Sequence, residues 1–316
     1  MCLTFRFSNA LVGVGLLLGG LTAPPFVHAG NVPRAKGLPE AIEKVRPSVV
    51  QLRYMLTEPS STETGVSPFR TGVLGSGFLV GNGYVITARH VIEAFRSMPG
   101  DPYKKKALKI AVQMPVNFRG DVFGFNCEIV GEDNRHDLAL LKATGNWPAD
   151  QTVHDGPVIG GKRVVFKVRG AVLSRAERPR EGESIAISGY PLNKTVLVTT
   201  SGAIASAWEQ MQDSRPQDAE PWMNVRDIAD SYLADAHTNP GNSGGPVYSV
   251  ADGKIIGVCV AIDLSNVIHS DEQGHQPAKV DNRFIFYNSG LAIVVPIKYA
   301  IALLQHNGIK WDERAK

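Results

Sequence analysis

The stretch Asn239-Pro240-Gly241-Asn242-Ser243-Gly244-Gly245-Pro246-Val247 is the most informative part of this sequence. Glycines on both sides of Ser243 allow positive φ and let main-chain N–H groups approach a bound carbonyl, which bulkier residues would obstruct. We expect the N–H groups of Gly241 and Ser243 to form an oxyanion hole, with the Ser243 hydroxyl as nucleophile. The alternative reading of the stretch is an ordinary Gly-rich turn.

Two earlier motifs supply the partners that a serine nucleophile needs. The run Gly83-Tyr-Val-Ile-Thr-Ala-Arg-His90-Val-Ile brings His90 to the end of a predicted strand, where a neutral imidazole can act as general base. The run His136-Asp137-Leu-Ala-Leu-Leu places Asp137 directly before an apolar strand, where its carboxylate can fix the tautomer of His90. Taken singly, each motif also fits a structural His or a turn Asp. The order His, Asp, Ser favours a catalytic triad of His90, Asp137 and Ser243.

Short strand-like runs dominate the rest of the chain. They are rich in β-branched residues, are bounded by Gly, Pro, Asn and Asp, and lie at 48–55, 77–80, 84–87, 111–114, 125–130, 138–142, 163–168, 184–188, 196–201, 246–248, 254–262, 284–287 and 292–296. The spacing of apolar residues predicts helices at 38–45 and 297–306. The pattern predicts an all-β barrel or sandwich class, and two groups of about six strands would suit two similar barrels. The segment 144–182 is the candidate junction.

Length and composition exclude several classes of protein. The 316 residues are 43% hydrophobic and 20% charged, and their 32 Gly and 20 Pro follow no collagen-like period. These values are typical of a turn-rich globular chain and exclude collagen, coiled coil and general disorder. The net charge of +3 is too small and too scattered to imply nucleic acid as a partner. Cys127 and Cys259 fall in different halves of the chain, so we favour two free thiols over one disulfide.

Residues 1–29 are typical of a secretory leader. Arg6 provides a positive end, an apolar run follows at 10–21, and Val27-His28-Ala29 offers a cleavage point. An uncleaved anchor helix is the alternative, but the apolar run is shorter than the roughly 20 residues that span a bilayer. We expect an exported protein, periplasmic or secreted, with no stable membrane anchor after leader cleavage. The predicted domains are the signal peptide (1–29), an N-terminal segment with the first barrel (30–165), and the second barrel with a C-terminal helix (166–316).

At these motifs the chain resembles the trypsin-like (chymotrypsin-fold) serine peptidases, most of all the bacterial high-temperature-requirement (HtrA/Deg) type. The resemblance extends from residue 38 through Pro296. It implies two six-stranded antiparallel β-barrels with short N-terminal and C-terminal helices, and the triad in the cleft between the barrels. It also implies a serine endopeptidase that hydrolyses protein or peptide substrates through an acyl-enzyme on Ser243. No cofactor or metal is predicted, because the His and acidic residues around 269–275 lack the spacing of a compact metal site.

Two departures from the family pattern matter. Members that are activated by releasing a new N-terminus carry Asp before the nucleophile, whereas Asn242 has no charge to offer such an ammonium group. HtrA-type members usually carry a PDZ domain of about 90 residues after the protease, a size that a separate core requires. Only 20 residues follow Pro296 in this sequence. We therefore expect neither an activating salt bridge nor regulation through an appended PDZ domain.

The resemblance also assigns the pocket for the side chain before the cut bond. It places His237 and Thr238 at the pocket base and Ile262 and Ala292 on the walls. No Asp lies at the base, which argues against Lys or Arg, because a buried ammonium without a carboxylate partner is costly. Apolar walls favour small or aliphatic side chains, whereas His237 with Thr238 could instead hydrogen-bond a carboxylate and favour Glu.

The substrate backbone is expected to pair as an added strand with Val260, Ala261 and Ile262, because an extended peptide needs main-chain partners to hold its register. Plain core strand is the alternative for these three residues. The resemblance further places the predicted loops 209–232 and 264–288 beside the cleft. Both are candidates for substrate selection or gating.

Two other functions stay open at this point. A protease-like fold without turnover would be an exported peptide-binding module, although all three triad residues and both oxyanion amides are present. An esterase with the same nucleophile is less favoured, because Ser243 precedes Gly-Gly-Pro and a strand instead of lying in a Gly-x-Ser-x-Gly elbow before a helix. Labelling by a fluorophosphonate probe would separate the enzyme from the binding module.

Overall fold

The computed structural model describes residues 37–57, 69–98, 105–113, 122–145, 147–148, 152–153, 158–159, 161–163, 165–176, 178–209, 228–271, 274–281 and 283–311. In these ranges the chain forms two closed six-stranded antiparallel barrels, four two-stranded pairs and three short α-helices. None of the helices in this part of the chain is long and apolar enough to cross a membrane. The predicted signal peptide, residues 1–29, lies outside the described residues.

The first barrel follows a short amphipathic helix. Helix α1 (Leu38–Val45) begins with Pro at its second position, where a missing N–H costs nothing, and buries Ala41 and Val45. The barrel strands are β1 (Val49–Thr57), β2 (Phe69–Gly81), β3 (Tyr84–Ala88), β4 (Lys105–Gln113), β5 (Val122–Asp133) and β6 (Leu138–Thr144), in the spatial order β1-β2-β3-β6-β5-β4. Helix α2 (Arg89–Ser97) follows β3 directly.

The second barrel begins after two short strand pairs. These are β7 (Thr152–Val153) with β10 (Phe166–Lys167), and β8 (Val158–Ile159) with β9 (Lys162–Arg163). The barrel strands are β11 (Ser184–Gly189), β12 (Val198–Glu209), β13 (Ser231–Asp235), β14 (Pro246–Ser249), β15 (Ile255–Asn266) and β20 (Phe286–Pro296), in the order β11-β12-β13-β20-β15-β14. Helix α3 (Ile297–His306) follows β20.

Between β15 and β20 the chain forms an arm, defined here as residues 264–288. Its tip carries β16 (Ile268–Asp271) paired with β17 (Gly274–Pro277), and β18 (Lys279–Val280) paired with β19 (Arg283–Phe284). Its base consists of the last residues of β15 paired with the first of β20, from Leu264↔Asn288 to Asn266↔Phe286.

Two apolar clusters form the core. One cluster fills the second barrel with residues such as Ile187, Val247 and Val294. The other joins the first barrel to α1 and α3, and it includes Val258 and Val295 from the second barrel. Burial of apolar surface in a cluster that both barrels share stabilises their mutual position. The cleft between them is therefore fixed by packing.

The all-β fold with two six-stranded barrels and terminal helices is confirmed. The helices predicted at 38–45 and 297–306 have the bounds expected from their apolar spacing. The run predicted at 284–287 is divided between β19, which ends at Phe284, and β20, which begins at Phe286. Strand β20 also includes the run predicted at 292–296, because its middle bulges around Gly290 instead of breaking.

Five features of the structure differ from what the sequence predicted. The run 163–168 contributes only two-residue pieces to strand pairs, and β4 begins at Lys105 instead of residue 111. Helix α2 and strand β13 were not predicted, because Val91-Ile92 resembles strand sequence and Ser-Tyr-Leu-Ala-Asp has weak strand propensity. The segment 264–288, expected as a loop, is mostly strand, since its polar residues pair in two-stranded ribbons that face solvent on both sides.

Candidate active site

His90 and Asp137 meet at the edge of the first barrel. His90 lies in the first turn of α2, and its ring Nδ1 is 2.6 Å from Asp137 Oδ2. The backbone N–H of His90 donates to Asp137 Oδ1 at 2.9 Å. A carboxylate beside Nδ1 keeps the proton on that nitrogen, so Nε2 is left as a proton acceptor. The Asp137 side chain is 13% exposed and that of His90 32%, so the acid is shielded while the imidazole remains accessible.

The backbone of Asp137 is unusual. Its φ is 52°, in the left-handed region, where Asp and Asn are tolerated better than most residues. Its carbonyl accepts a 2.8 Å hydrogen bond from the backbone N–H of Arg89, the residue before His90. This turn, together with the bond to Arg89, aims the Asp137 carboxylate at the imidazole.

The loop that carries Ser243 packs against the middle of β2 and the end of β3. Ser243 is partly exposed, and Gly241 and Gly244 have φ of 104° and 84°. A Cβ on Gly244 would lie 2.2 Å from the carbonyl oxygen of Ser76 and 2.7 Å from the backbone N of Ala88. Only glycine fits this contact, which holds the loop against the strand that leads to His90. We call residues 239–245 the nucleophile loop, after the role predicted for Ser243.

The N–H groups of Gly241 and Ser243 donate to no other group in the described part of the chain. The carbonyl of Pro240, by contrast, accepts a 2.8 Å bond from the backbone N–H of Leu192. Because the peptide bond is planar and trans, fixing the Pro240 carbonyl also fixes the opposite direction of the Gly241 N–H. Leu192 and Asn193 both have left-handed φ, so an irregular turn supplies this support.

Ser76 on β2 is a buried residue that connects the two barrels, and the sequence analysis gave it no role. Its backbone N–H donates to the carbonyl of Ser243 at 2.9 Å, and its hydroxyl donates to the carbonyl of Gly241 at 2.6 Å. The same hydroxyl accepts from the backbone N–H of Tyr190 at 2.9 Å. The available signal was a polar residue between two glycines inside an apolar strand, Gly75-Ser76-Gly77.

The residues assigned to the specificity pocket lie in different environments. Ala292 is fully buried and pairs with the partly exposed Ile262 across β15 and β20, so the two wall residues are adjacent. His237 is exposed. Thr238 is buried, and its hydroxyl has no hydrogen-bond partner within the described residues. Its carbonyl accepts a 2.7 Å bond from the side-chain amide of Asn288 at the base of the arm.

Strand β15 has an open edge beside the nucleophile loop. Strand β14 pairs with it as far as Val258, and the N–H of Gly244 donates to the carbonyl of Cys259 at 2.7 Å. From Val260 onward, no strand among the described residues pairs with this flank, while β20 covers the other flank to Asn266. Val260, Ala261 and Ile262 thus lie on an edge that starts next to Ser243.

The two described cysteines, Cys127 and Cys259, are free thiols. Burial raises the pKa of each to about 12, so neither is a nucleophile at neutral pH. Cys259 is hydrogen-bonded through its backbone to the nucleophile loop, but its side chain packs inside the second barrel.

Comparison with known proteins gives a consistent picture. The family profile described as "Trypsin-like peptidase domain" matches residues 75–258, which is more than half of the chain. Serine protease HTRA3 of Homo sapiens is 27% identical over 255 residues, covering 78% of this chain and 46% of that protein. A protein of Chlamydia muridarum named "Probable periplasmic serine endoprotease DegP-like" is 30% identical over 206 residues, covering 65% and 31%. The chain therefore spans less than half the length of these two relatives.

A solved structure extends the comparison to the fold. The HtrA-type protease AlgW, determined with a decapeptide, superposes with a TM-score of 0.54 at 20% identity. The superposition covers 85% of this chain and 67% of that one. The arrangement of the two barrels is thus shared with that protease.

Proposed function

Because the chain belongs to the trypsin-like peptidase family, we propose that it is an exported serine endopeptidase with the triad His90, Asp137 and Ser243. The observation that carries the proposal is the pairing of the Asp137 carboxylate with both the ring and the backbone of His90. Two further observations support the proposal. The N–H groups of Gly241 and Ser243 donate to no other group among the described residues, and the relatives include serine proteases.

The first chemical step forms the acyl-enzyme. A serine hydroxyl is a weak nucleophile at neutral pH, so His90 Nε2 takes its proton as Ser243 Oγ attacks the peptide carbonyl carbon. Asp137 holds the ring in the required tautomer and stabilises the imidazolium that forms. The charge that develops on the carbonyl oxygen is met by the N–H groups of Gly241 and Ser243, each contributing about 3 kcal/mol in comparable sites.

The remaining steps release the two products. The His90 imidazolium gives its proton to the leaving amine as the C–N bond breaks, which frees the C-terminal product. Water then attacks the acyl carbon, with His90 as base, and Ser243 regains its proton as the acid product leaves. The same two N–H groups stabilise the second tetrahedral intermediate.

We propose a weak preference for small or aliphatic side chains before the cut, received against the partly exposed Ile262, because Ala292 is fully buried in the core of the second barrel. Two features support this over a preference for Glu. The wall residue Ile262 is apolar and partly exposed, and the imidazole of His237, which would have to meet a carboxylate, is exposed instead of lining an enclosed base. Thr238 supplies one buried hydroxyl, which is too little to compensate a buried carboxylate.

Export to the periplasm or beyond the cell completes the proposal. It rests on the leader-like residues 1–29 and on the word periplasmic in the names of relatives from Chlamydia and Rickettsia. The domain division 30–165 and 166–316 also stays a prediction, while the first barrel ends at Thr144 and the second begins at Ser184.

A fluorophosphonate probe tests the proposed activity. The folded wild-type chain is expected to be labelled, and Ser243→Ala to remain unlabelled at the same concentration and folded state. Absence of labelling of correctly folded wild-type protein would instead establish the alternative, a catalytically inactive peptide-binding module.

A random peptide library with sequencing of the products tests the specificity. We expect Val, Ala or Ile to be enriched before the cut. Enrichment of Glu there would contradict the assignment of the pocket and leave the enzyme assignment intact.

A further inference from the structure

The arm, residues 264–288, carries an unusual share of the exposed apolar surface. Seven large hydrophobic side chains are exposed in the described part of the chain. Four of them lie on the arm: Leu264 at 36%, Ile268 at 52%, Val280 at 59% and Tyr287 at 53%. Leu264 pairs with Asn288 and Tyr287 pairs with Ser265, so Leu264 and Tyr287 lie on opposite faces, and both faces of the arm present apolar side chains to solvent.

The arm is held in place next to the pocket. Asn288 at its base donates to the Thr238 carbonyl at 2.7 Å, and the Ser289 hydroxyl donates to the Asp263 carbonyl at 2.9 Å. Farther out, backbone bonds link Val267, Ala278 and Ile285 at 2.7–3.0 Å. An element tied down at its base and again at mid-length presents its edge in a defined direction.

The open edge of β15 continues from the nucleophile loop into the arm, and its register with β20 shifts between Cys259 and Ala261 and between Ile262 and Leu264. It starts at Val260, beside the Cys259 carbonyl that binds the Gly244 N–H, and continues to Asn266. At about 3.3 Å per residue, these seven residues span roughly 23 Å. A bound peptide that pairs only with Val260, Ala261 and Ile262 would use less than half of that edge.

The direction of β15 decides which part of a substrate meets the arm. The strand runs away from Ser243, so a peptide that pairs with it in antiparallel fashion runs toward Ser243. The residues that precede the cut bond therefore lie along the arm. In such a pairing, alternate peptide side chains face the side of the sheet that carries Leu264.

We propose that the arm is an extended subsite for the segment upstream of the cut, and that it selects extended peptides with apolar residues at alternate positions. The inference rests on the proposed endopeptidase function and names the substrate class for it: unfolded or strand-like apolar segments of at least six residues before the cut. Main-chain pairing along an exposed edge supplies affinity, and the side chains beside it supply selectivity.

The substrate, and not a second copy of this chain, is the occupant because the edge is continuous with the place where the scissile bond must lie. A peptide reaching Ser243 already occupies Val260 to Ile262, so its preceding residues have no other strand edge to follow. A second copy paired with the arm would instead compete with the substrate for the same edge.

A nested set of internally quenched peptides tests the proposal. They carry the cut sequence selected from the random library and two, four, six or eight upstream residues, extended with alternating Val and Gln. Each added main-chain hydrogen bond is expected to increase kcat/KM about fivefold. Two further upstream residues add at least one or two such bonds, so kcat/KM is expected to rise about tenfold or more between four and six upstream residues. Equal kcat/KM for four, six and eight upstream residues would overturn the proposal.

Two variants assign the effect to the arm. Replacing residues 265–287 by Asn-Gly joins the paired residues Leu264 and Asn288 through a two-residue turn. We expect this variant to hydrolyse the two-residue peptide like wild type and to lose the gain from longer ones. Ile268→Ser, whose side chain is exposed and outside the barrel, is expected to reduce the gain severalfold without affecting folding, while Val165→Ser, equally exposed but off the arm, does not.

The outcomes separate this proposal from the one it rests on. If no peptide of any length is hydrolysed and no fluorophosphonate labelling occurs, the endopeptidase function fails. If all lengths are hydrolysed equally, only the role of the arm fails. If light scattering shows a dimer that the 265–287 replacement dissociates, and lengthening the peptide gives no gain, the arm is an interface between copies and the proposal is overturned.

Discussion

Ser76 sets the position of the nucleophile loop without being part of the triad. It is fully buried on β2, and its backbone and hydroxyl hold the carbonyls of Ser243 and Gly241, one on each side of Asn242. Because these carbonyls belong to the loop that offers the oxyanion amides, we regard Ser76 as a positioning residue.

Replacing Ser76 by Ala should therefore affect turnover as well as stability. The change leaves the Gly241 carbonyl and the Tyr190 N–H without their buried partner, which costs about 2 kcal/mol of unfolding free energy. We expect kcat to fall at least tenfold with KM nearly unchanged, measured well below the melting temperature. Ser97→Ala, which removes a solvent-exposed hydroxyl–carbonyl bond, is the control. An unchanged kcat in a destabilised Ser76→Ala would show that the residue is only structural.

Sequence reasoning at this scale identified residues whose type carries chemistry. His90, Asp137 and Ser243 could be proposed because imidazole, carboxylate and hydroxyl in that order suit one mechanism. Ser76 and Leu192 could not, because their contribution depends on which distant carbonyl faces their hydroxyl or N–H. The left-handed φ of Leu192 has no signal in its residue type.

At the scale of the element, glycines mark the places where strands approach most closely. A Cβ on Gly202 of β12 would lie 1.7 Å from the carbonyl oxygen of Asp235 on β13, so any side chain there forces the two strands apart. Gly124 on β5 has nothing within 4 Å of the same position. The two glycines therefore differ in packing although both lie in strands.

Alanine at these two positions gives a matched comparison. Gly202→Ala is expected to lower the unfolding free energy by about 3 kcal/mol or more, because the β12–β13 pairing must shift. Gly124→Ala is expected to be neutral or to stabilise by up to about 1 kcal/mol, because alanine has less freedom in the unfolded chain. Urea unfolding of both variants checks this, and equal losses would contradict the steric explanation.

Element prediction succeeded where one face of the element is apolar. Helices α1 and α3 were predicted from apolar spacing, and most barrel strands from β-branched runs. Strand β13 and the strands of the arm were not predicted. They have five residues or fewer, many of them polar in the arm, so their strand conformation depends on pairing with neighbouring strands instead of on a local apolar pattern.

At the scale of the whole molecule, a polar cluster at Asp230 ties α3 to the second barrel. Tyr299 on α3 donates to Asp230 Oδ2 at 2.6 Å, Arg178 pairs with Oδ1, and Lys298 Nζ lies 3.5 Å away. The Tyr299 ring also stacks on His136, the neighbour of Asp137, with centroids 3.5 Å apart. The carboxyl-terminal helix thus contacts the turn that carries Asp137, the proposed triad acid.

The charge of Asp230 should make this connection sensitive to acid. Burial opposes ionisation, but the hydrogen bonds of Tyr299 and Arg178 and the charges of Arg178 and Lys298 hold the pKa of Asp230 below its ordinary value. Because the pKa of Asp230 is lower in the folded than in the unfolded protein, its ionised carboxylate stabilises the folded state at pH values above about 4, the pKa of an unfolded Asp. This stabilisation is lost as the pH falls through the pKa of the folded state.

Asp230→Asn is accordingly expected to lower the free energy of unfolding by about 2 kcal/mol at pH 7 and by progressively less below pH 4. Urea unfolding of wild type and variant at pH 7, 5 and 3 measures the difference. Asp252→Asn, in an exposed pair with Lys254, should change stability by less than about 1 kcal/mol throughout. A difference in unfolding free energy between wild type and Asp230→Asn that increases toward pH 3 would contradict the role assigned to the charge.

The two-barrel architecture followed from resemblance at the three motifs, and the comparisons confirm it. Composition alone reached only an all-β class. The contacts of Ser76 with Gly241 and of Tyr299 with Asp230 were not predictable, because each joins residues more than 60 positions apart and no local pattern encodes it.

The protonated state of Cys127 and Cys259 has a practical consequence. Burial raises the pKa of both thiols to about 12, so we expect very little thiolate on either at pH 7 and slow reaction with maleimide dyes. A fluorophore can therefore be attached at Tyr287→Cys on the arm while Cys127 and Cys259 are retained. Distances from that dye to a labelled peptide would then report directly how far a bound chain extends beyond the cleft.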